Sequence, residues 1–145
     1  MTDKKTKRVI PPKFSISGGF ANWLKEENGS LVFTARRLGK VFTVGLDDKD
    51  EVAFFERSYP LPTGLSVHNG TLFMADKFRV WRFENALMPN TQHPFDGFDA
   101  VYVPEMMYRT GNQDTHELGV LKSGMIAFAS TRMNCVGGCT ATHAI

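Results

Sequence analysis

Short apolar segments recur along the chain, and polar residues separate each segment from the next. About nine of them, each four to seven residues long, are rich in the β-branched and aromatic side chains that favour strands. In chain order they are SLVFTAR, KVFTVGL, EVAFFER, GLSV, TLFMAD, RVWRFE, DAVYVPE, HELGVL and MIAFAST. Two segments have a brief helical pattern, FANWLKEEN (Phe20–Asn28) and FENALM (Phe83–Met88). The pattern therefore predicts an all-β fold of short antiparallel strands.

Three stretches resemble one another and predict a repeated unit. They are NGSLVFTARRLGKVFTV, NGTLFMADKFRVWRF and SGMIAFASTRMNCV. Each begins with a tight turn that ends in glycine, and Asn-Gly suits a two-residue hairpin turn because both positions need a positive φ. The glycines Gly29, Gly70 and Gly124 are 41 and 54 residues apart, close to the roughly 40–50 residues of a propeller blade. We interpret the units as antiparallel four-stranded blades of a β-propeller, in preference to an unrelated sandwich.

The number of repeats predicts that the propeller is incomplete. About three blades fit into 145 residues, whereas closed propellers have about four to eight. Three blades would form an open arc with exposed strand edges. We therefore expect either a fragment of a longer protein or a ring completed by other chains. The expected organisation is a flexible N-terminal segment over residues 1–19, a partial propeller over 20–136 and an irregular tail over 137–145.

Composition and charge narrow the classes of partner. The formal net charge is only +2, with 42% hydrophobic and 22% charged residues, which argues against a nucleic-acid partner. No run approaches the roughly 18 apolar residues of a membrane-spanning helix, so we expect no membrane partner and a cytoplasmic location. Two cysteines are too few for a disulfide framework.

The segment TGNQDTHELGV is the strongest candidate for a functional site. If a strand begins near Thr115, Asp114 and His116 point to one face and Glu117 to the other. An Asp–His pair on one face suits metal binding or acid/base chemistry, but the sequence offers no third ligand at a useful spacing. We prefer a structural interpretation, in which the Asp and Thr groups of the loop bond backbone amides and His116 is hydrogen-bonded at the inner strand of a blade. Low-ranked catalytic candidates are His116 and Asp114. The ligand-binding candidates are Thr110, Gly111, Asp114, His116 and Glu117.

Three further segments admit a functional interpretation, but a structural one is preferred for each. In CVGGCTATH the spacing of Cys135, Cys139 and His143 is allowed for zinc, yet gives only three ligands. LDDKDE resembles the start of a calcium loop but lacks the glycine and distal Glu, so it predicts a hairpin turn. ADKFRVWRFEN interleaves basic and aromatic residues, and core packing of Trp81 and Phe83 explains it more simply than nucleic-acid binding. We therefore predict neither a metal nor a cofactor.

Several stretches resemble a family of bacterial conserved hypothetical proteins, known only as a domain of unknown function. They are SLVFTARRLGKVFTVGLD, FERSYPLPTGLSV, VWRFENAL, VYVPEMMYRTGNQDTHEL and FASTRMNC. The resemblance extends roughly from Phe20 to Cys135 and departs from the Thr-Gly-Asp-x-Asp-x-His signature at Asn112 and Gln113. It implies a propeller-like fold in a protein longer than this chain, because a later Cys-His-Leu-Asn-Gly run is absent. The chain thus looks like an N-terminal fragment, and the resemblance implies no activity.

Two main hypotheses and a third, simpler one follow. The first is a non-catalytic propeller segment that serves as a binding or scaffold module of a larger protein, with a protein or small-molecule ligand as partner. The rival is part of a propeller enzyme with a channel-centred site, in which His116 is the acid/base and Asp114 orients it. The third is a truncated product without independent activity.

Overall fold

The chain folds into short strands, as its hydrophobic pattern predicts. The computed structural model describes residues 13–87, 98 and 100–139, which contain one helix, one 3-10 turn and ten strands. The helix is α1 (Phe20–Glu26), and the 3-10 turn is Arg36–Leu38. The strands are β1 (Leu31–Ala35), β2 (Lys40–Leu46), β3 (Val52–Ser58), β4 (Leu65–His68), β5 (Thr71–Ala75), β6 (Arg79–Asn85), β7 (Tyr102–Arg109), β8 (Thr115–Val120), β9 (Ile126–Ser130) and β10 (Cys135–Cys139). The prediction of an all-β fold is confirmed.

The strands form three sheets in chain order. The first sheet is β1-β2-β3, the middle sheet β4-β5-β6-β7 and the last sheet β8-β9-β10, so among the described residues only the middle sheet has the four strands predicted for each blade. Every pair of neighbouring strands is antiparallel. The chain therefore completes one sheet before it starts the next, and the three similar stretches of sequence correspond to the hairpins β1–β2, β5–β6 and β9–β10.

The middle sheet supplies the core because the other two sheets pack on its opposite faces. Since side chains alternate along a strand, β5 sends Phe73 to one face and Leu72 and Met74 to the other. One cluster joins the middle and last sheets: Phe73, Val80, Ile126, Phe128 and Cys139. The other cluster consists of Leu72, Met74 and Phe83. Val41 of β2 and Tyr59, which follows β3, pack against it and so join the middle sheet to the first.

One of the predicted Asn-Gly hairpin turns has a different role. Asn69 and Gly70 have φ values of 49° and 79° and connect β4 to β5 as expected. Asn28, with φ 46°, instead ends α1, and the Gly29 amide donates to the Leu24 carbonyl at 3.2 Å. This is the pairing of a helix C-terminus closed by a left-handed residue. The prediction of a hairpin at Gly29 is therefore wrong, because the preceding element is a helix.

Strand pairing also overrides two boundaries expected from sequence. The helix predicted over Phe83–Met88 is wrong, since β6 continues to Asn85, which pairs with Tyr102. The irregular tail predicted from residue 137 is wrong over its first three residues, because β10 runs to Cys139 and pairs with β9. Met88 and residues 140–145 lie outside the described residues.

The N-terminal segment is anchored at Phe14, although it was expected to be flexible. The Phe14 ring stacks on Phe54 with centroids 4.4 Å apart and meets Phe42 edge-on at 5.2 Å. Phe42 and Leu24 of α1 are each only 2% exposed. Residues 1–12 lie outside the described part of the chain. Within the described residues, no helix is both long and apolar enough to cross a membrane.

Candidate functional site

The two ends of the three sheets carry different kinds of connection. Since each sheet is an antiparallel run of consecutive strands, alternate connections fall at the same end. The connections β1–β2, β3–β4, β5–β6, β7–β8 and β9–β10 lie at one end, which we call the junction end because the chain passes between sheets there. The turns β2–β3, β4–β5 and β8–β9 lie at the other end, which we call the hairpin end. The predicted segment TGNQDTHELGV enters β8 from the junction end.

Most of that segment is tied to its own backbone and to the turn after β9. The side-chain Nε2 of Gln113 donates to the Thr110 carbonyl at 3.0 Å, and Gly111 adopts a left-handed φ of 73°. The Ser130 hydroxyl donates to the Gln113 carbonyl at 2.7 Å, and the Thr131 hydroxyl donates to the Asp114 carbonyl at 2.9 Å. The loop is therefore held through its backbone carbonyls rather than by Asp and Thr groups that accept from backbone amides, and the His116 side chain makes no hydrogen bond among the described residues.

Asp114 and His116 are neighbours, but they are not hydrogen-bonded to each other. The His116 Nε2 atom lies 4.0 Å from the Asp114 Oδ2 atom, beyond hydrogen-bond distance. Their side chains are 46% and 41% exposed. Asp114 stands just before β8 with a left-handed φ of 48°, and its other oxygen, Oδ1, accepts from Nη2 of Arg36. The carboxylate is therefore held by an arginine rather than by the histidine.

Arg36 is the site residue that sequence reasoning missed. It lies in the 3-10 turn after β1 and is separated from Asp114 by 78 positions. Its Nε atom is buried and has no hydrogen-bond partner among the described residues. Buried donors are nearly always paired, so this N–H is an unmet hydrogen-bonding group at the junction end. No local sequence pattern indicates it.

A groove opens where the first strands of the three sheets approach one another. We call it the central groove; its volume is about 400 Å³, and its walls are Val32, Phe33, Thr34, Arg36, Thr63, Gly64, Leu65, His116 and Glu117. The Thr34 hydroxyl fixes the first sheet to the segment before β4 by donating to the Thr63 carbonyl at 2.6 Å. The structure thus brings the predicted residues His116 and Glu117 together with β1 and β4.

Gly64 allows β4 and β8 to lie close together. A Cβ atom on Gly64 would stand 2.8 Å from the His116 carbonyl oxygen and 3.0 Å from the Glu117 Cα. Both of those atoms belong to the backbone, which cannot move aside as the end of a flexible side chain could. Glycine at this position therefore sets the separation of the two strands at the central groove.

A second groove lies at the junction end, on the other side of the Arg36–Asp114 pair. We call it the cationic groove; its volume is about 350 Å³, and its walls are Arg36, Leu61, Lys77, Asn112, Asp114, Thr131 and Arg132. Three of these side chains are cationic and one is anionic. Asp114 is shared between the predicted ligand-binding residues and this groove, whereas Thr110 and Gly111 line neither groove.

Asp76 is a buried carboxylate that also escaped the sequence analysis. It is 1% exposed, and its oxygens accept from the Phe78 amide at 2.8 Å and from the Trp81 indole at 2.7 Å. The Trp81 ring lies 6.3 Å from the Phe83 ring, and Arg82 pairs with Glu84. In the segment ADKFRVWRFEN, the aromatic Trp81 and Phe83 thus pack together in the core, and the basic Arg82 forms a local ion pair.

The cysteine segment has strand geometry. Cys135 and Cys139 occupy the two ends of β10, four residues apart and hence about 13 Å, too far to share a metal ion. Cys135 is exposed, whereas burial raises the pKa of Cys139 to about 11, so this thiol is protonated at neutral pH. His143 lies outside the described residues. Among the residues that the structure describes, no group of three or more metal-ligating side chains occurs.

The predicted hairpin turn at LDDKDE is confirmed. The Asp47 Oδ1 atom accepts from the amides of Lys49 and Glu51, both at 2.9 Å. These two bonds, with that to Glu51 the stronger, hold the pKa of Asp47 below its ordinary value of 3.8. The carboxylate therefore closes the β2–β3 turn rather than facing a cation.

Comparison with family models assigns the sequence to a known group. Residues 18–145 match the domain of unknown function DUF4915. The chain belongs to this family. The matched region of DUF4915 contains α1, all ten strands and the walls of both grooves. The resemblance inferred from sequence is thus confirmed at the level of an uncharacterised domain family. No curated protein and no solved structure gives a significant match.

Proposed function

We propose that this DUF4915 domain is a ligand-binding module made of consecutive β-propeller blades, and that its ligand occupies the central groove. One observation carries the proposal: β1, β4 and β8, each the first strand of its sheet, border a single groove. In a propeller, the blades surround a central channel. The similar hairpins all turn at the junction end, which supports a repeated unit, although they occupy the first two strands of the first sheet and the second and third strands of the other two.

The walls of the central groove suit a small molecule. Its volume of about 400 Å³ lies within the roughly 300–1,000 Å³ of ligand pockets. Val32 and Leu65 offer apolar contact, while Thr63 and His116 supply polar groups for orientation. The guanidinium of Arg36, whose side chain is about two-fifths exposed, supplies further N–H donors at the groove wall.

The second candidate is an acid/base enzyme that uses His116. The 4.0 Å separation from Asp114 favours it, because a small movement would allow a hydrogen bond. Asp114 could keep its Oδ1 bond to Arg36 while Oδ2 faces His116, but the structure contains no hydrogen bond between Asp114 and His116. Binding is therefore the better-supported function.

The proposal is tested with a fragment screen on the purified chain, followed by affinity measurements on two histidine variants. His116→Ala should weaken the selected fragments at least about tenfold, because a polar contact in a groove contributes on the order of 1–2 kcal/mol. His68→Ala is the matched control, since His68 ends β4 at the hairpin end.

Both variants should keep the melting temperature of the parent protein, since His116 is 46% exposed. Fragments that bind both variants as well as they bind the parent would refute a central-groove site. A screen without any hit would also count against the proposal. Slow turnover of a hit, abolished by His116→Ala, would favour the enzyme instead.

A further inference from the structure

We infer that the cationic groove is a separate site for a small dianion or polyanion that carries carboxylate or phosphate groups. The groove collects three cations from three sheets: Arg36 from the β1–β2 turn, Lys77 from the β5–β6 turn and Arg132 from the β9–β10 turn. Exposed like charges normally spread apart, so three cations on one concave wall call for a negative partner.

The charges within the groove do not cancel. Asp114 is the one carboxylate in its walls, and it pairs with Arg36. Neither Lys77 nor Arg132 lies within 4.0 Å of a carboxylate among the described residues. The groove therefore keeps a surplus of two positive charges, which a dianion would neutralise.

The turn that bears Lys77 is fixed before any ligand arrives. The Lys77 amide donates to the Pro60 carbonyl at 2.9 Å, and the buried Asp76 carboxylate accepts from the next amide along the chain. Lys77 is half-buried, with its Nζ atom 5.0 Å from the centre of the Phe78 ring. A positioned backbone lowers the entropy cost of ligand binding.

A neutral donor completes a site suited to oxyanions. Asn112 contributes a side-chain amide to the same wall as the planar guanidinium of Arg132. Arginine binds carboxylate and phosphate through two parallel hydrogen bonds. A volume of about 350 Å³ accommodates a small metabolite but not a folded domain.

This inference does not rest on the proposed function, because it concerns a different groove and needs no propeller. Arg36 is the residue that both grooves share, so it is left unchanged in the test. The two proposals fail separately, because Lys77 and Arg132 line only the cationic groove and His116 lines only the central groove.

The test is a calorimetric titration of the purified chain with inorganic phosphate and, separately, with citrate. Lys77→Gln and Arg132→Gln should each weaken the better-bound probe about tenfold, as expected for the loss of one charge-assisted hydrogen bond. Lys122→Gln is the matched control, since Lys122 is exposed in the β8–β9 turn at the hairpin end. It removes the same charge and should leave the affinity within about twofold.

A second test adds a negative charge to the groove instead of removing a positive one, with little change in side-chain shape. Asn112→Asp adds a negative charge to the groove wall, and we expect it to weaken the anion about tenfold while the melting curve confirms folding. Stronger binding of phosphate would assign a phosphorylated ligand, and stronger binding of citrate a carboxylate. Binding of neither probe, or an equal loss in Lys122→Gln, would overturn the inference.

Discussion

The hairpin end and the junction end of the three sheets use polar groups differently. At the hairpin end, Asp47 bonds within its own turn by accepting from Lys49 and Glu51 two and four residues away, and Asp50 of the same turn pairs with Lys25 of α1. At the junction end, they bond across the fold, as in the pair of Arg36 with Asp114, 78 positions apart. The hairpin end therefore closes strands locally, whereas the junction end joins the sheets and builds both grooves.

Within the junction end, burial separates positions that stabilise the fold from positions that are free to bind. Asp76 and Gly64 are enclosed by their neighbours, so the fold itself explains them. Arg36, Lys77 and His116 are only partly covered and line open grooves. Substitutions should consequently affect stability in the first group and binding in the second.

The largest effect on stability is expected at Asp76. Asp76→Ala should lower the free energy of unfolding by about 3 kcal/mol, because it leaves the Phe78 amide and the Trp81 indole without acceptors. Asp76→Asn is the control; it keeps the shape and one acceptor and should cost less. Urea unfolding measures both, and a loss below about 1 kcal/mol for the alanine variant would contradict this role.

Gly64→Ala should destabilise the protein by about 2–3 kcal/mol, because its Cβ would press on the backbone of β8. Gly119→Ala is the matched control, since it lies in β8 itself and a Cβ there meets nothing within 4 Å. The melting temperatures of the two variants compare a glycine in close contact with β8 with a glycine whose Cβ would meet open space. Equal stabilities would show that β4 and β8 do not depend on this close approach.

A smaller effect is expected from the pair that joins the first and last sheets. Arg36→Gln should cost about 1 kcal/mol or less, because both partners are about two-fifths exposed and solvent screens their attraction. A double-mutant cycle with Asp114→Asn isolates the coupling energy. A coupling near zero would mean that the pair does not join the sheets, and high salt should reduce whatever coupling exists.

The smallest effect concerns the hairpin end and depends on pH. Because the pKa of Asp47 is lowered in the folded chain, its contribution to stability is present at neutral pH and lost as the pH falls below 3.8. Asp47→Asn should remove that part of the acid dependence. Carboxyl chemical shifts followed during an acid titration give the pKa directly, and a midpoint above 3.8 would contradict the two backbone hydrogen bonds.

The sequence carries the local part of this structure. Alternating apolar residues predict nine of the ten strands, since each pattern spans only a few neighbours. The exception is β10, where Gly137 and Gly138 hide the pattern and pairing with β9 supplies the order. The helix predicted at Phe83–Met88 fails for a related reason, because cross-strand pairing outweighs a brief helical preference.

The candidate site is only partly visible in sequence. Asp114 and His116 lie close together because they are two residues apart in the sequence. The left-handed φ of Asp114, just before β8, alters how the two side chains face each other. The roles of Arg36, Lys77 and Arg132 depend on turns from three different sheets meeting at one end. Such contacts come from tertiary packing, which no pattern within one segment reports.

The most direct test of a ligand-binding junction end is to map amide chemical shifts while a fragment hit from the screen is added. We expect the largest changes at Thr63, Gly64, His116 and Glu117, whose backbones border the central groove. The amides of the hairpin end, from Asp47 to Glu51 and at Asn69 and Gly70, should remain unchanged. Changes concentrated at the hairpin end, or spread evenly over both ends, would contradict the proposal.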